Sequence, residues 1–344
     1  MKAVLISEYV TDPGALRPTE VPVPPLHPDR PILVRITHCS PQHADILHAQ
    51  GKHQNNNPKR GWCHPPFILG YDFAGIVEFV LPNRSIENLQ INDRVFGAAI
   101  GAFAEYIAVK PETIRKLPEG LSNEAACAMA GQAVSYAAVV HVAKVQPEDV
   151  VLVSGASGGL GSVCCMAAKA LGARVIALTG DQEKAEMMRR DMDVDSVVLV
   201  DDGGKWIDGV LEYTNGVGVD VVLDNTGMVN DAIRCLAYMG RIVVLGFAAR
   251  KGVMESVKMN KLLLKSATVS GYRFGESGRR SPQTLEAVWE GYLELLRSGQ
   301  LKPLLYGKYD GLEDMGRALG DLAARKVYGK IVVKVARSQR GAKL

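Results

Sequence analysis

The segment that decides the fold runs from Val150 to Gly161 and reads VVLVSGASGGLG. Its first half is a continuous apolar run, which is typical of a strand buried on both faces of a parallel sheet. A glycine-rich turn comes next, and after it an apolar helical pattern covers residues 162–171. Such a turn lets the backbone approach a pyrophosphate, and the helix N-terminus offers it free N–H groups. This context predicts a dinucleotide site, against the plainer alternative of a tight turn without a ligand.

The turn supplies the first predicted cofactor contacts, with alanine in place of the first glycine of the usual G-x-G-x-x-G pattern. These predicted contacts are Ala156, Ser157, Gly158, Gly159, Leu160 and Gly161. Strand and helix patterns alternate from there to residue 272, which predicts an α/β fold with a doubly wound Rossmann sheet. Further strands are predicted at 174–179, 196–200, 219–224, 241–247 and 268–272, and helices at 184–191, 206–213, 229–239 and 259–265.

The end of the second strand favours NADPH over NADH. An acidic residue at this point would bind the ribose hydroxyls and repel a 2′-phosphate. The chain has Thr179 and Gly180 there, and Asp181 comes later, where it can cap the next helix. Lys184 lies one turn into that helix and can pair with a 2′-phosphate, unless it is an ordinary surface lysine.

Two further turns come after strands at the edge where open α/β sheets bind ligands. They read Asp-Asn-Thr-Gly at residues 224–227 and Leu-Gly-Phe at residues 245–247. Asn225, Gly246 and Phe247 are therefore predicted to lie beside the nicotinamide ribose.

The two ends of the chain differ from its middle in composition and in the secondary structure that the sequence predicts. Residues 1–122 are rich in proline and in short β-type runs such as Ile32–Ile36 and Tyr106–Val109, which predicts a mostly-β domain. A helix is predicted at 123–143. Near the C-terminus, helices at 283–298 and 312–324 and a strand at 329–335 lead back toward the first domain. We therefore expect domain 123–272 to be inserted into a discontinuous domain, 1–122 and 273–344.

Composition limits the classes of partner. The 344 residues are 47% hydrophobic, and 40 basic against 37 acidic residues give a net charge of +3. This balance gives no electrostatic case for nucleic acid, and a small-molecule substrate is expected. No apolar stretch is long enough for a membrane span, and no signal-peptide pattern opens the chain. The six cysteines form no C-x-x-C pair, which favours a reducing compartment.

Several linked motifs resemble those of the zinc-free, zeta-crystallin-like quinone oxidoreductases of the medium-chain dehydrogenase/reductase superfamily. They are CSPQHAD at 39–45, GYDFAG at 70–75, NDRV at 92–95, FAEY at 103–106, the turn at 155–161 and YGKIV at 328–332. The resemblance covers residues 1–335 and implies a GroES-like domain, a Rossmann domain and an active site in the cleft. It also implies a homodimer joined through the last Rossmann strand, near 268–272.

The resemblance allows zinc to be tested residue by residue. Alcohol dehydrogenase-type relatives bind catalytic zinc through a cysteine of the first motif and a histidine of a Gly-His-Glu motif. Gln42 and Tyr71 stand at those positions here, and neither is a plausible zinc ligand. We therefore expect no metal. Without a Lewis acid, hydride transfer to an electron-poor acceptor is favoured over alcohol oxidation.

The substrate side departs from the family pattern, which commonly has an asparagine and two later tyrosines. Gln42 replaces the asparagine, Leu47 and His53 replace the tyrosines, and Asp45 matches. Gln42 is expected to hydrogen-bond a carbonyl, and His53 to donate a proton unless it is simply a loop histidine. The predicted catalytic residues are Gln42, Asp45 and His53, and the predicted substrate contacts are Tyr71, Tyr136 and Phe274.

Three functions stay open at this point. The leading one is a quinone reductase, the second an enoyl or alkenal reductase, and the third a non-enzymatic NADPH-binding protein. The chain ends in Ala342-Lys343-Leu344, which resembles the Ser-Lys-Leu peroxisomal signal, so both the cytoplasm and the peroxisome are open. A peroxisomal location would favour the enoyl reductase.

Overall fold

The computed structural model describes residues 1–59, 61–82, 89–201, 203–249 and 255–335. The predicted address at 342–344 lies outside these ranges. Strands and helices are numbered along the chain. The strands are β1 (Lys2–Ala3), β2 (Leu5–Ile6), β3 (Thr19–Glu20), β4 (Ile32–Ser40), β5 (Phe67–Ile68), β6 (Asp72–Val80), β7 (Arg94–Ala98), β8 (Tyr106–Val109), β9 (Ile114–Lys116), β10 (Val150–Val153), β11 (Arg174–Thr179), β12 (Ser196–Leu199), β13 (Val219–Asp224), β14 (Leu236–Val244), β15 (Thr268–Gly271), β16 (Tyr309–Asp310) and β17 (Val333–Lys334). The helices are α1 (His43–Ala49), α2 (Asn123–Met129), α3 (Ala133–Ala137), α4 (Gly159–Ala170), α5 (Gln182–Asp191), α6 (Trp206–Tyr213), α7 (Val229–Ala232), α8 (Met259–Lys265), α9 (Phe274–Arg280), α10 (Pro282–Arg297) and α11 (Met315–Ala323).

The central unit, Gln132–Lys302, is built on a parallel sheet of strand order β12-β11-β10-β13-β14-β15. The order reverses beside β10, which pairs with β11 on one side and β13 on the other. Every residue of β10 is at most 4% exposed. Burial on both faces explains why this strand is continuously apolar. The predicted doubly wound Rossmann sheet is confirmed.

The terminal unit comprises Met1–Gly131 and the chain from Pro303 onward. Its main sheet has the order β16-β17-β4-β6-β7-β9, and β8 also pairs with β4. The two ends of the chain meet in this sheet, because Val333 of β17 lies opposite Cys39 of β4. The expected mostly-β, GroES-like domain formed from both chain ends is therefore present.

The boundaries between the units differ from those expected at 122/123 and 272/273. The structure divides the chain after Gly131 and after Lys302. Helix α2 belongs to the terminal unit because it packs on strands β4, β6 and β7. Helix α10 belongs to the central unit because it packs on α3.

Three predicted elements are shorter than expected. The helix predicted at 229–239 ends at Ala232, and β14 begins at Leu236 after a 3-10 turn. Met239 takes a positive φ of 62° within β14, where the register with β13 shifts, so this stretch is bulged strand rather than helix. The helix predicted at 123–143 is split into α2, α3 and a π-helical turn. The strand predicted at 329–335 contains only β17.

None of the helices in the described ranges is by itself long and apolar enough to cross a membrane. The neighbouring helical stretches Asn123–Met129 and Ala133–Val142 pass a test of length and composition only when they are taken together.

Candidate active site

Two glycines shape the turn after β10. Gly155 takes a positive φ of 59°, a conformation that glycine adopts readily. A Cβ on Gly161 would lie well inside 3.0 Å of the carbonyl oxygen of Gly155, closer than real Cβ contacts come. Helix α4 can therefore pack against the end of β10 only without a side chain at Gly161.

Helix α4 begins within the turn, with Gly158 as its N-cap. The first amide of its hydrogen-bond ladder belongs to Ser162, which donates to the carbonyl oxygen of Gly158 at 2.9 Å. The amides of Gly159, Leu160 and Gly161 precede this ladder, as the first N–H groups of any helix do. Together with the positive end of the helix dipole, they suit a phosphate.

The neighbouring strand β11 holds the other side of the turn. The amide of Ala156 donates to the carbonyl oxygen of Leu178 at 3.1 Å, so this N–H braces the turn and is already engaged. The hydroxyl of Thr179 donates to the Ser157 hydroxyl oxygen at 3.5 Å. Of the residues predicted to contact the cofactor, Ala156 thus uses its amide within the protein, whereas the amides of Gly159–Gly161 precede the hydrogen-bond ladder of the helix.

The end of β11 is open and has no acid at its last positions. A Cβ on Gly180 would meet nothing within 4 Å. The carboxylate of Asp181 accepts the amide of Lys184 at 2.9 Å, so Asp181 caps helix α5 as expected. The side chain of Lys184 is half-buried in the first turn of that helix.

The turn after β13 presents a buried amide group. Asn225 donates through Nδ2 to the carbonyl oxygen of Ser154 at 2.9 Å, while its Oδ1 is buried and has no hydrogen-bond partner. A Cβ on Gly246 would lie 3.0 Å from the carbonyl oxygen of Asn225, so the turn after β14 closes onto this residue. Phe247 comes next and is 49% exposed. The three predicted residues are therefore brought together at one edge of the sheet.

Sequence reasoning missed Asp224, which organises this edge. Its fully buried carboxylate accepts the Ser154 hydroxyl at 2.7 Å and the amides of Gly227 and Met228 at 3.0 and 2.8 Å. The available signal was an Asp-Asn-Thr-Gly run directly after a strand, because aspartate side chains commonly bond the amides just beyond them.

In the terminal unit, a buried ion pair lies beside Gln42. Lys330 Nζ lies 2.8 Å from Asp72 Oδ2, with side-chain exposures of 8% and 0%. Burial raises the pKa of Asp72, and the Lys330 ammonium opposes that rise. Gln42 Nε2 donates to Asp72 Oδ1 at 3.2 Å. Because a carboxylate accepts but does not donate, this bond fixes which end of the Gln42 amide faces Asp72.

Asp45 fixes the start of helix α1. Its Oδ2 accepts the amide of Gln42 at 2.8 Å, and its own amide donates to the carbonyl oxygen of Gln42 at 2.9 Å. The side chain is fully buried, and burial raises its pKa well above the usual range. The buried carboxylate thus holds the backbone of Gln42, and these contacts do not support a direct contact of Asp45 with substrate.

Three ring side chains meet beside α1. The Tyr71 hydroxyl lies 2.9 Å from His48 Nε2, and the His48 ring stacks on that of His53 at a centroid distance of 4.0 Å. His53 Nδ1 accepts the amide of Asn55 at 3.2 Å. The structure thus connects two predicted residues through His48, which the sequence analysis did not single out. Its i, i+3 spacing from Asp45 would have placed both on one helix face.

Acid is expected to weaken the fold through His48. Burial, and the nearby charge of His53, lower the pKa of His48 from 6.5 to about 3. Between these values the unfolded chain binds an extra proton, so the free energy of unfolding falls as pH falls, by up to about 1.4 kcal/mol per pH unit. Urea unfolding of His48→Gln between about pH 7 and pH 5 should show a shallower loss. His27→Gln is the control, since His27 is exposed. Equal slopes would contradict this expectation.

The two predicted substrate contacts of the central unit differ in their setting. Tyr136 is 9% exposed and packs against Tyr292, and a Cβ on Gly291 would collide with its hydroxyl. These contacts give Tyr136 a packing role between α3 and α10 and do not support its predicted substrate contact. Phe274 is the first residue of α9, shortly after β15, and is half-buried with its ring 6.4 Å from that of Tyr272.

The two positions compared with zinc ligands are engaged in other contacts. Gln42 bonds Asp72, and Tyr71 bonds His48. Within the described ranges, no group of three or more His, Cys, Asp or Glu side chains is arranged to hold a metal ion.

Comparisons with known proteins agree with this architecture. The alcohol dehydrogenase GroES-like domain model matches residues 28–119, and the zinc-binding dehydrogenase model matches residues 159–294. These two stretches lie in the terminal and the central unit respectively.

Similar proteins extend the match to nearly the whole chain. Quinone oxidoreductase-like protein 2 of Bos taurus is 30% identical over 340 residues, which is 97% of this chain and 90% of the relative. A reducing polyketide synthase of Gibberella moniliformis is 28% identical over 306 residues, 86% of this chain but 12% of the synthase. A solved mycobacterial structure complexed with NADPH aligns with a TM-score of 0.85 at 25% identity, covering 97% of this chain and 99% of that one. The chain belongs to the quinone oxidoreductase family of the medium-chain dehydrogenase/reductase superfamily.

Proposed function

We propose that this protein is an NADPH-dependent, zinc-independent reductase that transfers a hydride to a quinone or a similar electron-poor acceptor. The observation that carries the proposal is the turn at 155–161, where Gly161 allows the first turn of helix α4 to pack closely against Gly155 and Ala156. Support comes from the quinone oxidoreductase relatives and from the NADPH held by a mycobacterial protein of the same fold.

The residues of the central unit fit NADPH. The amides of Gly159–Gly161 suit the pyrophosphate, and the open, acid-free space at Gly180 with Lys184 nearby suits the 2′-phosphate. The orphaned Asn225 Oδ1 can accept the N–H of a carboxamide. When bound, the cofactor supplies the hydride, while the protein supplies orientation and polar groups.

Lys184→Ala is expected to discriminate between the two nicotinamide cofactors. Loss of a charge-assisted contact to the 2′-phosphate should raise the Kd of NADPH by about 10-fold or more and leave that of NADH within about 2-fold. Fluorescence titration measures both constants. Lys169→Ala removes the same charge from the last turn of α4, where Lys169 pairs with Asp195 at 2.9 Å, and is the control. Equal weakening of both cofactors by Lys184→Ala would remove the 2′-phosphate assignment.

Zinc independence is supported by the donor chemistry of the terminal unit. The amide of Gln42 and the phenol of Tyr71 are poor zinc ligands beside thiolate or imidazole. Without a metal to polarise an alcohol oxygen, the protein is suited to acceptors that are already electron-poor. Gln42 keeps a second N–H, which we propose donates to the carbonyl of the acceptor.

A second candidate is reduction of a carbon–carbon double bond conjugated to a carbonyl or thioester. The observation that favours it is the similarity to a reducing polyketide synthase. This reaction shares the hydride donor with quinone reduction but differs in its second step, because a carbon atom of the substrate must then be protonated.

A panel of acceptors assayed at fixed NADPH tests these functions. Quinone-dependent NADPH oxidation supports the first, and oxidation with an enoyl thioester but no quinone supports the second. Tight NADPH binding with no turnover would leave a non-enzymatic NADPH-binding protein. Addition of a strong zinc chelator should leave the rate unchanged, and inactivation that zinc reverses would contradict zinc independence.

We also propose that the protein forms a homodimer through the β15 edge of the central sheet. Within the described ranges β15 pairs with β14 alone. Large apolar side chains of the neighbouring α8 and β14 stand exposed to solvent in the single chain. They are Tyr238, Met239, Met259, Leu263 and Leu264, each between 66% and 79% exposed. A second copy would cover this apolar surface and continue the sheet.

Leu263→Glu combined with Leu264→Glu is expected to give a monomer. Burying two carboxylates at an apolar interface costs several kcal/mol, more than a modest interface supplies. Light scattering after size-exclusion chromatography measures the mass. Ile91→Glu is the control because Ile91 is 53% exposed and belongs to the terminal unit. A dimer that survives the double substitution would place the interface elsewhere.

A further inference from the structure

The pair formed by His48 and Tyr71 joins a buried residue to a partly exposed one. His48 is fully buried, whereas Tyr71 keeps part of its side chain exposed. The Tyr71 hydroxyl lies 2.9 Å from His48 Nε2, and His48 Nδ1 is buried with no hydrogen-bond partner. Of the two, Tyr71 is the more exposed.

The surroundings of His48 keep its ring neutral. His53 stacks on it, Phe67 meets it edge-on at 6.2 Å, and Tyr71 lies on a third side. A neutral imidazole carries one N–H. If that proton were on Nδ1 it would be buried without an acceptor, which is costly, so the Nε2–H tautomer is favoured. His48 then donates to the phenol oxygen of Tyr71, and the hydroxyl proton of Tyr71 is directed away from the ring.

We propose that Tyr71 is the proton donor of the reduction proposed above, and that His48 is the residue that positions it. The inference rests on that proposed function and assigns the step after hydride transfer. For a conjugated alkene, the β-carbon receives the hydride with its electron pair, the C=C π bond breaks and an enolate forms. The O–H bond of Tyr71 then breaks as its proton bonds to the α-carbon. The tyrosinate left behind accepts the His48 Nε2–H and is reprotonated by water.

His53 and Asp45 are less suited to this step. His53 Nδ1 caps the 3-10 turn just after it, accepting the Asn55 amide at 3.2 Å, and its ring covers His48. Asp45 is fully buried and cannot reach a substrate. His53 therefore covers one face of the His48 ring and does not replace Tyr71 as the proton donor.

Quinones and conjugated alkenes differ in how much their reduction depends on a proton donor. A hydroquinone oxyanion takes a proton from water readily, whereas the α-carbon of an enolate is protonated slowly without a positioned acid. A proton donor at Tyr71 therefore accelerates the reduction of conjugated alkenes more than the reduction of quinones.

Tyr71→Phe with NADPH and two acceptors, a 2-alkenal and 1,4-benzoquinone, tests the proposal. With the alkenal we expect kcat to fall about 100-fold or more, as for loss of a general acid, with KM little changed. With benzoquinone the rate should fall by less than about 3-fold, since water can replace the acid. In heavy water, deuterium should enter the α-carbon on one face with the unchanged protein and on both faces with the variant.

Variants of His48 test the positioning role. His48→Leu should lower kcat for the alkenal about 10-fold, and His48→Gln should restore most of the rate because its Nε2–H can replace that of the imidazole. The double variant Tyr71→Phe/His48→Leu removes both polar partners together, so no buried polar group is left unpaired by the change. Thermal melting shows whether each variant is folded. Tyr9→Phe makes the same chemical change elsewhere in the terminal unit and is the control.

The outcomes are distinct. An active protein whose Tyr71→Phe form keeps its kcat and one-sided α-protonation would overturn this inference alone. Activity with benzoquinone but not with the alkenal would overturn the protonation of carbon. Activity with neither acceptor would overturn the proposed function, and this inference with it.

Discussion

Gly161→Val is expected to abolish NADPH binding and to lower the melting temperature. A Cβ at this position would lie within 3.0 Å of three backbone atoms of Gly155 and Ala156, none of which can rotate away. Helix α4 must then move off β10, and the amides at its N-terminus lose their alignment. We expect the Kd of NADPH to rise about 100-fold or more, because the pyrophosphate contacts are lost together. Thermal melting and fluorescence titration measure the two effects.

Gly158→Ala is the matched control for this substitution. A Cβ on Gly158 would come no closer than 3.5 Å to any atom, with Gly155 O nearest, and its φ of −90° is open to alanine. The fold should therefore be retained, with a melting temperature close to that of the unchanged protein. Any loss of NADPH affinity in this variant would then come from contact between the added methyl group and the bound cofactor, and not from a change in the fold. A Gly161→Val protein as stable as Gly158→Ala would show that the contact with Gly155 does not constrain the turn.

Lys330→Met is expected to cause a large loss of stability in the terminal unit. The substitution leaves the Asp72 carboxylate, which is 0% exposed, without its ammonium partner at 2.8 Å. Breaking a buried ion pair from one side costs about 3–5 kcal/mol. Activity should fall as well, because Asp72 also orients the amide of Gln42. Urea unfolding of the apoprotein measures the free energy of unfolding.

The double variant Lys330→Met/Asp72→Asn separates the charge from the packing. It removes both charges and keeps an acceptor for Gln42, so most of the lost stability should return. Arg297→Ala is the surface control, since the Arg297–Glu294 pair is exposed and such pairs contribute about 0–1 kcal/mol. A double variant no more stable than Lys330→Met alone would argue against an unpaired charge as the cause.

Local pattern determined a large part of this protein. The strand and the turn from Val150 to Gly161 could be predicted from local sequence, because a buried strand must be apolar and a tight strand–helix turn must be glycine-rich. The position of Asp181 as a helix cap was likewise readable, since the cap and the amide of Lys184 are neighbours in sequence. Where local pattern conflicted with sheet pairing it gave the wrong element, as at 229–239, where β14 begins earlier because it pairs with β13.

The roles of the terminal-unit residues depended instead on contacts between distant parts of the chain. The family resemblance selected Gln42, Asp45 and Tyr71, but only the folded structure showed what each one contacts. Lys330 and Asp72 are 258 residues apart and meet because β17 returns to β4 beside β6. His48 gained its importance from burial beside Tyr71. The sequence by itself thus determined the family, the sheet and the nucleotide turn, whose physics is local. The tertiary structure decided which polar groups are buried together, because burial and hydrogen bonding across the sheet are set by the packing of the whole unit.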